Sequence, residues 1–167
     1  IGALAAYALV RIRFRVKLAA VAIFLLLLVA VIVAVVTFGV AWQVAVEHRN
    51  CPSALLFTRQ TVPHQPRTAA QIDNIRRGGY VLSDCAGSPQ AVIIATGSEV
   101  SLAMGAQKAL AEQGVATRVV SLPSHFMFER QDADYRSAVM PRGVPRVAVE
   151  AGVTDWWRKY VGLEGAV

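Results

Sequence analysis

The stretch from Ala91 to Pro123, AVIIATGSEVSLAMGAQKALAEQGVATRVVSLP, constrains the fold of this chain more than any other. Ala91 to Ala95 is apolar, rich in β-branched residues and too short for a helix, which predicts a buried strand. Thr96-Gly97-Ser98 turns the chain, and the hydroxyl of Ser98 or Thr96 is placed to cap the helix that follows. From Val100 apolar residues recur near helical spacing at Ala103, Ala106 and Leu110, among good helix formers. Gly114 stands where a left-handed residue ends a helix. Thr117 to Leu122 is a second β-rich run, closed by Pro123. Strand, turn, helix, turn, strand is a βαβ unit, whose crossover is expected to be right-handed. The predicted class is therefore α/β.

At 167 residues the chain has room for one domain, or one domain and part of another. Its hydrophobic fraction of 55% and mean hydropathy of +0.46 are high for a soluble protein. The excess lies at the N-terminus. Leu18 to Trp42 contains no charged residue, and 25 residues exceed the roughly 20 that cross a bilayer as a helix. Arg11, Arg13, Arg15 and Lys17 precede the run and would keep that end cytoplasmic. By itself the run reads as a membrane span, with a buried core segment as the alternative. A signal peptide fits less well, because the run is too long and no small-x-small site follows.

The four flanking cations account for most of the net charge of +6; without them thirteen basic residues face eleven acidic ones. No basic stripe with interleaved aromatics remains, so a nucleic-acid partner is not expected. Cys51 and Cys85 lack the spacing of a disulfide framework or a zinc site and read as free thiols. His48, His64 and His125 show no ligand spacing, and no metal site is assigned.

Further along, Val40 to Arg49 reads as the last turns of a packed helix, broken by Asn50-Cys51-Pro52-Ser53. Ala54 to Phe57 is a short apolar run expected to form a strand, ending at Thr58-Arg59-Gln60. A guanidinium at such an end suits an anion, since it is always charged and binds phosphate bidentately. Residues 61–66, with two prolines, read as a linker. Thr68 opens a short polar helix that ends at Gly78-Gly79, and Tyr80 to Leu82 is a brief strand. Asp132 to Val139 is predicted helical, Arg146 to Glu150 a strand. A last helix carries Trp156, Trp157, Tyr160 and Val161, read as helix–sheet packing.

From Val40 onward the chain resembles transketolase. The resemblance is carried by VAWQVAVEHR (40–49), PSALLFTRQ (52–60), RGGYVLSDC (77–85), IIATGSEVSLA (93–103), RVVSLPS (118–124), RQDADYRSAVMP (130–141), and VAVEAG followed by WWRKYVGLEGA (147–166). Several ordered blocks at family-like intervals are far more specific than one motif. Other thiamine-diphosphate enzymes, such as deoxyxylulose-phosphate synthase, look less like the RQDADYR and VEAG…KYVG blocks.

The resemblance implies transfer of a two-carbon ketol unit between sugar phosphates. It also implies thiamine diphosphate, a divalent metal (Mg or Ca) and a cytoplasmic homodimer with active sites at the subunit interface. Residues 38–60 resemble the end of the pyrimidine-binding domain, and 67–167 a truncated C-terminal domain. That domain is a three-layer αβα sheet domain, preceded here by a hydrophobic, helical N-terminal segment. In the family the Arg of the S/T-R-Q end contacts the substrate phosphate; that position is Arg59, the only site residue carried over.

The cofactor's GDG…N metal–diphosphate motif, the Glu that activates the pyrimidine ring and the catalytic histidines have no counterpart in these residues. His64-Gln65-Pro66 matches the family's THQP only by coincidence, since it lies in the linker. The chain is therefore expected to be inactive alone. Residues 1–37 do not resemble the family, which leaves a membrane anchor, a frame junction or a divergent soluble helix. A frame junction is favoured, because an anchor would export a domain whose family works in the cytoplasm. The alternative function is a membrane-tethered α/β binding or regulatory module without catalysis.

Overall fold

A computed structural model describes residues 38–50, 52–58, 61–163 and 165–167. The chain divides into Ile1–Gly39 and Val40–Val167, and the fold below is that of the second unit. Most of the Leu18 to Trp42 run lies outside the described residues. Among the described residues no helix is long and apolar enough to cross a membrane.

Residues 38–47 are helical (α1). After the irregular segment 61–68 come α2 (Ala69–Ile75), β1 (Tyr80–Ser83), β2 (Ala91–Ala95), α3 (Val100–Glu112) and β3 (Thr117–Ser121). The chain continues through α4 (His125–Glu129), α5 (Ala133–Val139), β4 (Arg146–Val149) and α6 (Asp155–Val161). The four strands form one sheet in the order β1-β3-β2-β4. β2 pairs in parallel with both β3 and β4, and β1 runs antiparallel to β3.

The predicted βαβ unit is thus present, with its two strands adjacent in register Ala91↔Thr117 to Ala95↔Ser121. Alternation along β2 sends Val92 and Ile94 to one face, Ile93 and Ala95 to the other. On the first face they meet Phe128 of α4, Val139 of α5, and Trp157, Tyr160 and Val161 of α6. On the second they meet Ile75 of α2, Val100 and Ala103 of α3, and the half-buried Val40 of α1. Both faces of the central strands are covered, which is why their sequences are continuously apolar. The layers are helix, sheet, helix, as expected.

Local chemistry sets the joints. Thr68 caps α2 through a reciprocal pair: its hydroxyl accepts from Gln71 N at 3.2 Å, and Thr68 N donates to the Gln71 amide oxygen at 2.9 Å. The Gln71 amide nitrogen then donates to the carbonyls of Val81 (3.0 Å) and Leu82 (2.8 Å), tying α2 to the edge strand β1. The Gln107 amide of α3 donates to Thr117 O at 2.7 Å, and Gly114, at φ +77°, turns the chain between the two elements. Arg118 of β3 forks onto Asp84 with bonds of 2.9 and 2.8 Å, and its third nitrogen donates to Ala138 O at 2.6 Å. One side chain thereby joins the end of β1 to the end of α5.

Two expectations fail. Residues 52–58 form no strand, and Leu56 is 89% exposed. A strand exists only by pairing, and none of the described strands lies beside this segment in the sheet. Neither Thr96 nor Ser98 caps α3. A 3-10 turn over Gly97–Glu99 leads into the helix instead, and the Ser98 hydroxyl donates to the Glu99 carboxylate at 2.9 Å. The packing role predicted for the aromatics of α6 holds for Trp157 and Tyr160, whereas Trp156 is 62% exposed.

The junction before β1 admits no side chain. Gly78 has φ +84°, and a Cβ there would stand 2.4 Å from Ser124 O and 2.5 Å from Phe128 N, both backbone atoms of the α4 region. Gly87 has a similar φ of +77° but open space around it. Gly78→Ala is therefore expected to cost about 3 kcal/mol or more, and Gly87→Ala about 1 kcal/mol, read as shifts in urea midpoint. Equal costs would show that the close approach to α4 does not matter.

Candidate functional site

Arg59, the site residue expected from the sequence, lies outside the described residues. Among the described residues no three His, Cys, Asp or Glu side chains converge to hold a metal ion. The donor set that a metal-bound diphosphate requires is thus not assembled among them. Cys85 is a free thiol.

The described residues that do converge lie where α4, α5 and α6 cover the first face of the sheet. A cleft of about 280 Å³ opens there, lined by Glu129, Arg136, Arg142, Arg146, Lys159 and Tyr160, with Phe128, Ala133, Ser137 and Met140 completing its wall. Ser124 starts α4 by accepting from Met127 N at 3.3 Å, and Asp132 starts α5 by accepting from Tyr135 N at 2.6 Å. These caps and the stop at Met140-Pro141 fix how the lining residues are presented.

Arg146, the first residue of β4, reaches across the floor of the cleft. Its guanidinium donates to the carbonyls of Tyr160 (3.0 Å), Met140 (3.0 Å) and Pro141 (2.9 Å). Burial lowers its pKa, and no carboxylate faces it among the described residues. Glu129 accepts from Lys159 at 2.6 Å and from the Tyr160 hydroxyl at 2.9 Å, and both hold its carboxyl below the usual range. Burial and the Glu129 hydrogen bond push the Tyr160 phenol upward. Glu129 is thereby kept ionised and Tyr160 protonated at neutral pH. Neither is poised to exchange a proton, so the arrangement suits binding better than turnover.

His125 packs against Trp156, Trp157 and Tyr160, with ring centroids 5.6, 4.9 and 5.3 Å away. Its Nδ1 is buried without a hydrogen-bond partner among the described residues. Burial lowers its pKa below 6.5, against the opposing pull of Glu129 and Glu150 and with the help of Lys159.

Of the residues in this region, the sequence alone points only to the helix-packing aromatics. The available signal was three arginines, 136, 142 and 146, within the short run RSAVMPRGVPR. Nothing local says that a strand start and a helix end bring them together with Lys159.

The His125 environment generates a pH dependence. Because the folded-state pKa lies below the unfolded one, the unfolded chain takes up the proton first as pH falls. The stability this residue contributes is present above about pH 6.5 and is lost as pH falls through the folded value. Wild type should lose more urea resistance than His125→Phe between about pH 7.5 and 5.5; equal losses would exclude His125 as the source.

A family model described as the transketolase-like TK C-terminal domain matches residues 78–167. Transketolase 1 of Escherichia coli is 54% identical over 133 residues, and transketolase 1 of Vibrio cholerae 53% over 133. Each alignment covers 79% of this chain and 20% of the relative, so the chain spans about a fifth of the length of these curated relatives. The solved structure of transketolase from Leishmania mexicana superposes with a TM-score of 0.70 at 41% identity, over 77% of this chain and 18% of that one. A variant transketolase from Pichia stipitis in complex with fructose-6-phosphate gives 0.71 at 37%, over 78% and 19%. With a family match across more than half its length, and a sheet built as in those structures, this chain belongs to the transketolase family.

Proposed function

We infer that this chain supplies the C-terminal domain and the end of the pyrimidine-binding domain to a thiamine-diphosphate-dependent transketolase. Its parent would move a two-carbon ketol unit between sugar phosphates, as a cytoplasmic homodimer with a divalent metal at each active site. The observation that carries this reading is 54% identity to E. coli transketolase 1 sustained over 133 residues. Support for the substrate class comes from the Pichia stipitis transketolase structures, which were obtained with fructose-6-phosphate, sedoheptulose-7-phosphate and xylulose-5-phosphate.

Within this reading the chain contributes architecture and one substrate contact. Ketol transfer requires a cofactor carbanion to attack a ketose carbonyl, and the groups that bind and activate that cofactor belong to the rest of the enzyme. Arg59 is assigned to the substrate phosphate. A guanidinium fork matches two phosphate oxygens and keeps its charge at every working pH.

Three measurements test the reading. The isolated chain, supplied with thiamine diphosphate, magnesium, a ketose phosphate and an aldose phosphate, should show no ketol transfer above background. Grafted onto E. coli transketolase 1 in place of the matching segment, its family-like part should support turnover. Arg59→Gln in that chimaera should raise KM for the phosphorylated substrate by about tenfold or more, with kcat changed far less. A fall in kcat with KM unchanged would remove Arg59 from phosphate binding.

A further inference from the structure

We propose that the cleft between α4, α5 and α6 binds a small phosphate ester. Four cationic side chains and one carboxylate line it, a net charge of +3. Glu129, the carboxylate, is already engaged by Lys159 and Tyr160. Arg146 is spent on three carbonyls. Arg136 and Arg142 are left: both are exposed, and neither forms an ion pair or a side-chain hydrogen bond among the described residues.

The treatment of other arginines in the same domain sharpens the contrast. Arg118 forks onto Asp84, Arg76 meets Glu47 at 3.1 Å, and Arg158 lies 3.8 Å from Asp155. Around the cleft the fold instead collects cations and provides no second acid. Like charges drawn together in this way repel, and a multivalent anion between them turns that cost into attraction.

The chemistry favours phosphate over a monocarboxylate. One carboxylate would offset only part of the excess charge, whereas a phosphate monoester brings nearly two negative charges and three acceptor oxygens. Ser137 offers a hydroxyl beside the arginines, and Ala133 and Met140 give an apolar wall for the organic part of the ester. At about 280 Å³ the space falls at the small end of ligand pockets, which suits a single small molecule.

The test uses the full chain, with glycerol 3-phosphate and inorganic pyrophosphate as separate probes. Calorimetry at low salt should give saturable binding with one ligand per chain. The double variant Arg136→Gln/Arg142→Gln should weaken it at least tenfold, while Lys108→Gln, at a different surface on α3, should leave it unchanged. Amide chemical-shift mapping of unmutated protein supplies a readout independent of variant folding. The ligand should move the amides of 136–140, 142–143 and 159–160. Pyrophosphate bound while the ester is not would restrict the site to inorganic anions and overturn the ester assignment. Absence of saturation, equal affinity in the double variant, or shifts confined to other residues would overturn the site itself.

Discussion

The first face of the domain depends on one half-buried guanidinium. Arg146 stands at the first position of β4 and binds the chain just after α5 and the last turn of α6 at once. Carbonyls at helix ends have no intrahelical partner and carry partial negative charge, so a cation there satisfies both deficits. Each carbonyl left unpaired by its loss would cost about 1–3 kcal/mol where buried. An amide or a hydrocarbon could not replace it, because three acceptors from two elements need a rigid, multiply donating group. The floor of the cleft follows from this side chain, while Arg136, Arg142 and Lys159 supply the rest of its positive charge.

At the same end of the sheet, two strands away, a second arginine uses the same chemistry with a different partner. Arg118 projects from the central strand β3 with only 13% of its side chain exposed, and pairs with the half-exposed Asp84. Exposed ion pairs contribute little, about 0–1 kcal/mol. A two-bond fork whose cation also holds a helix carbonyl is geometrically fixed, and its value lies in orienting β1 and α5 against β3. Two arginines thus tie together what the apolar faces only press together.

Much of this fold is legible in the residues because its signals are local. Ala91 to Ala95 and Thr117 to Ser121 are β-branched runs of strand length, and Thr68, Gly78 and Gly114 mark element ends by chemistry confined to a few residues. What escaped depends on distant partners. Ala54 to Phe57 has a strand's composition but no neighbouring strand among the described residues, so composition misleads. Ser98 has a capping side chain, yet a 3-10 turn shifts the helix start beyond it. Ser124 to Arg130 carries no strong periodicity, and its single turn of helix is held by the Ser124 cap and the burial of Phe128. Trp156 and Trp157 are the same residue type side by side; only the placement of α6 exposes one and buries the other. The cleft was hidden for the same reason. Three of its four cations lie within residues 136–146, but they meet Lys159 only through the contacts of β4, α5 and α6.

The amide of Gln71 has an effect beyond the start of its own helix. β1 is the outermost strand on its side of the sheet, and an outermost strand offers unused backbone groups to any passing chain. By taking the carbonyls of Val81 and Leu82, Gln71 withdraws two of those acceptors and lays α2 along the margin. Self-association through that margin would first have to pull the helix cap apart. A residue that starts a short helix thereby also occupies an exposed edge of the sheet.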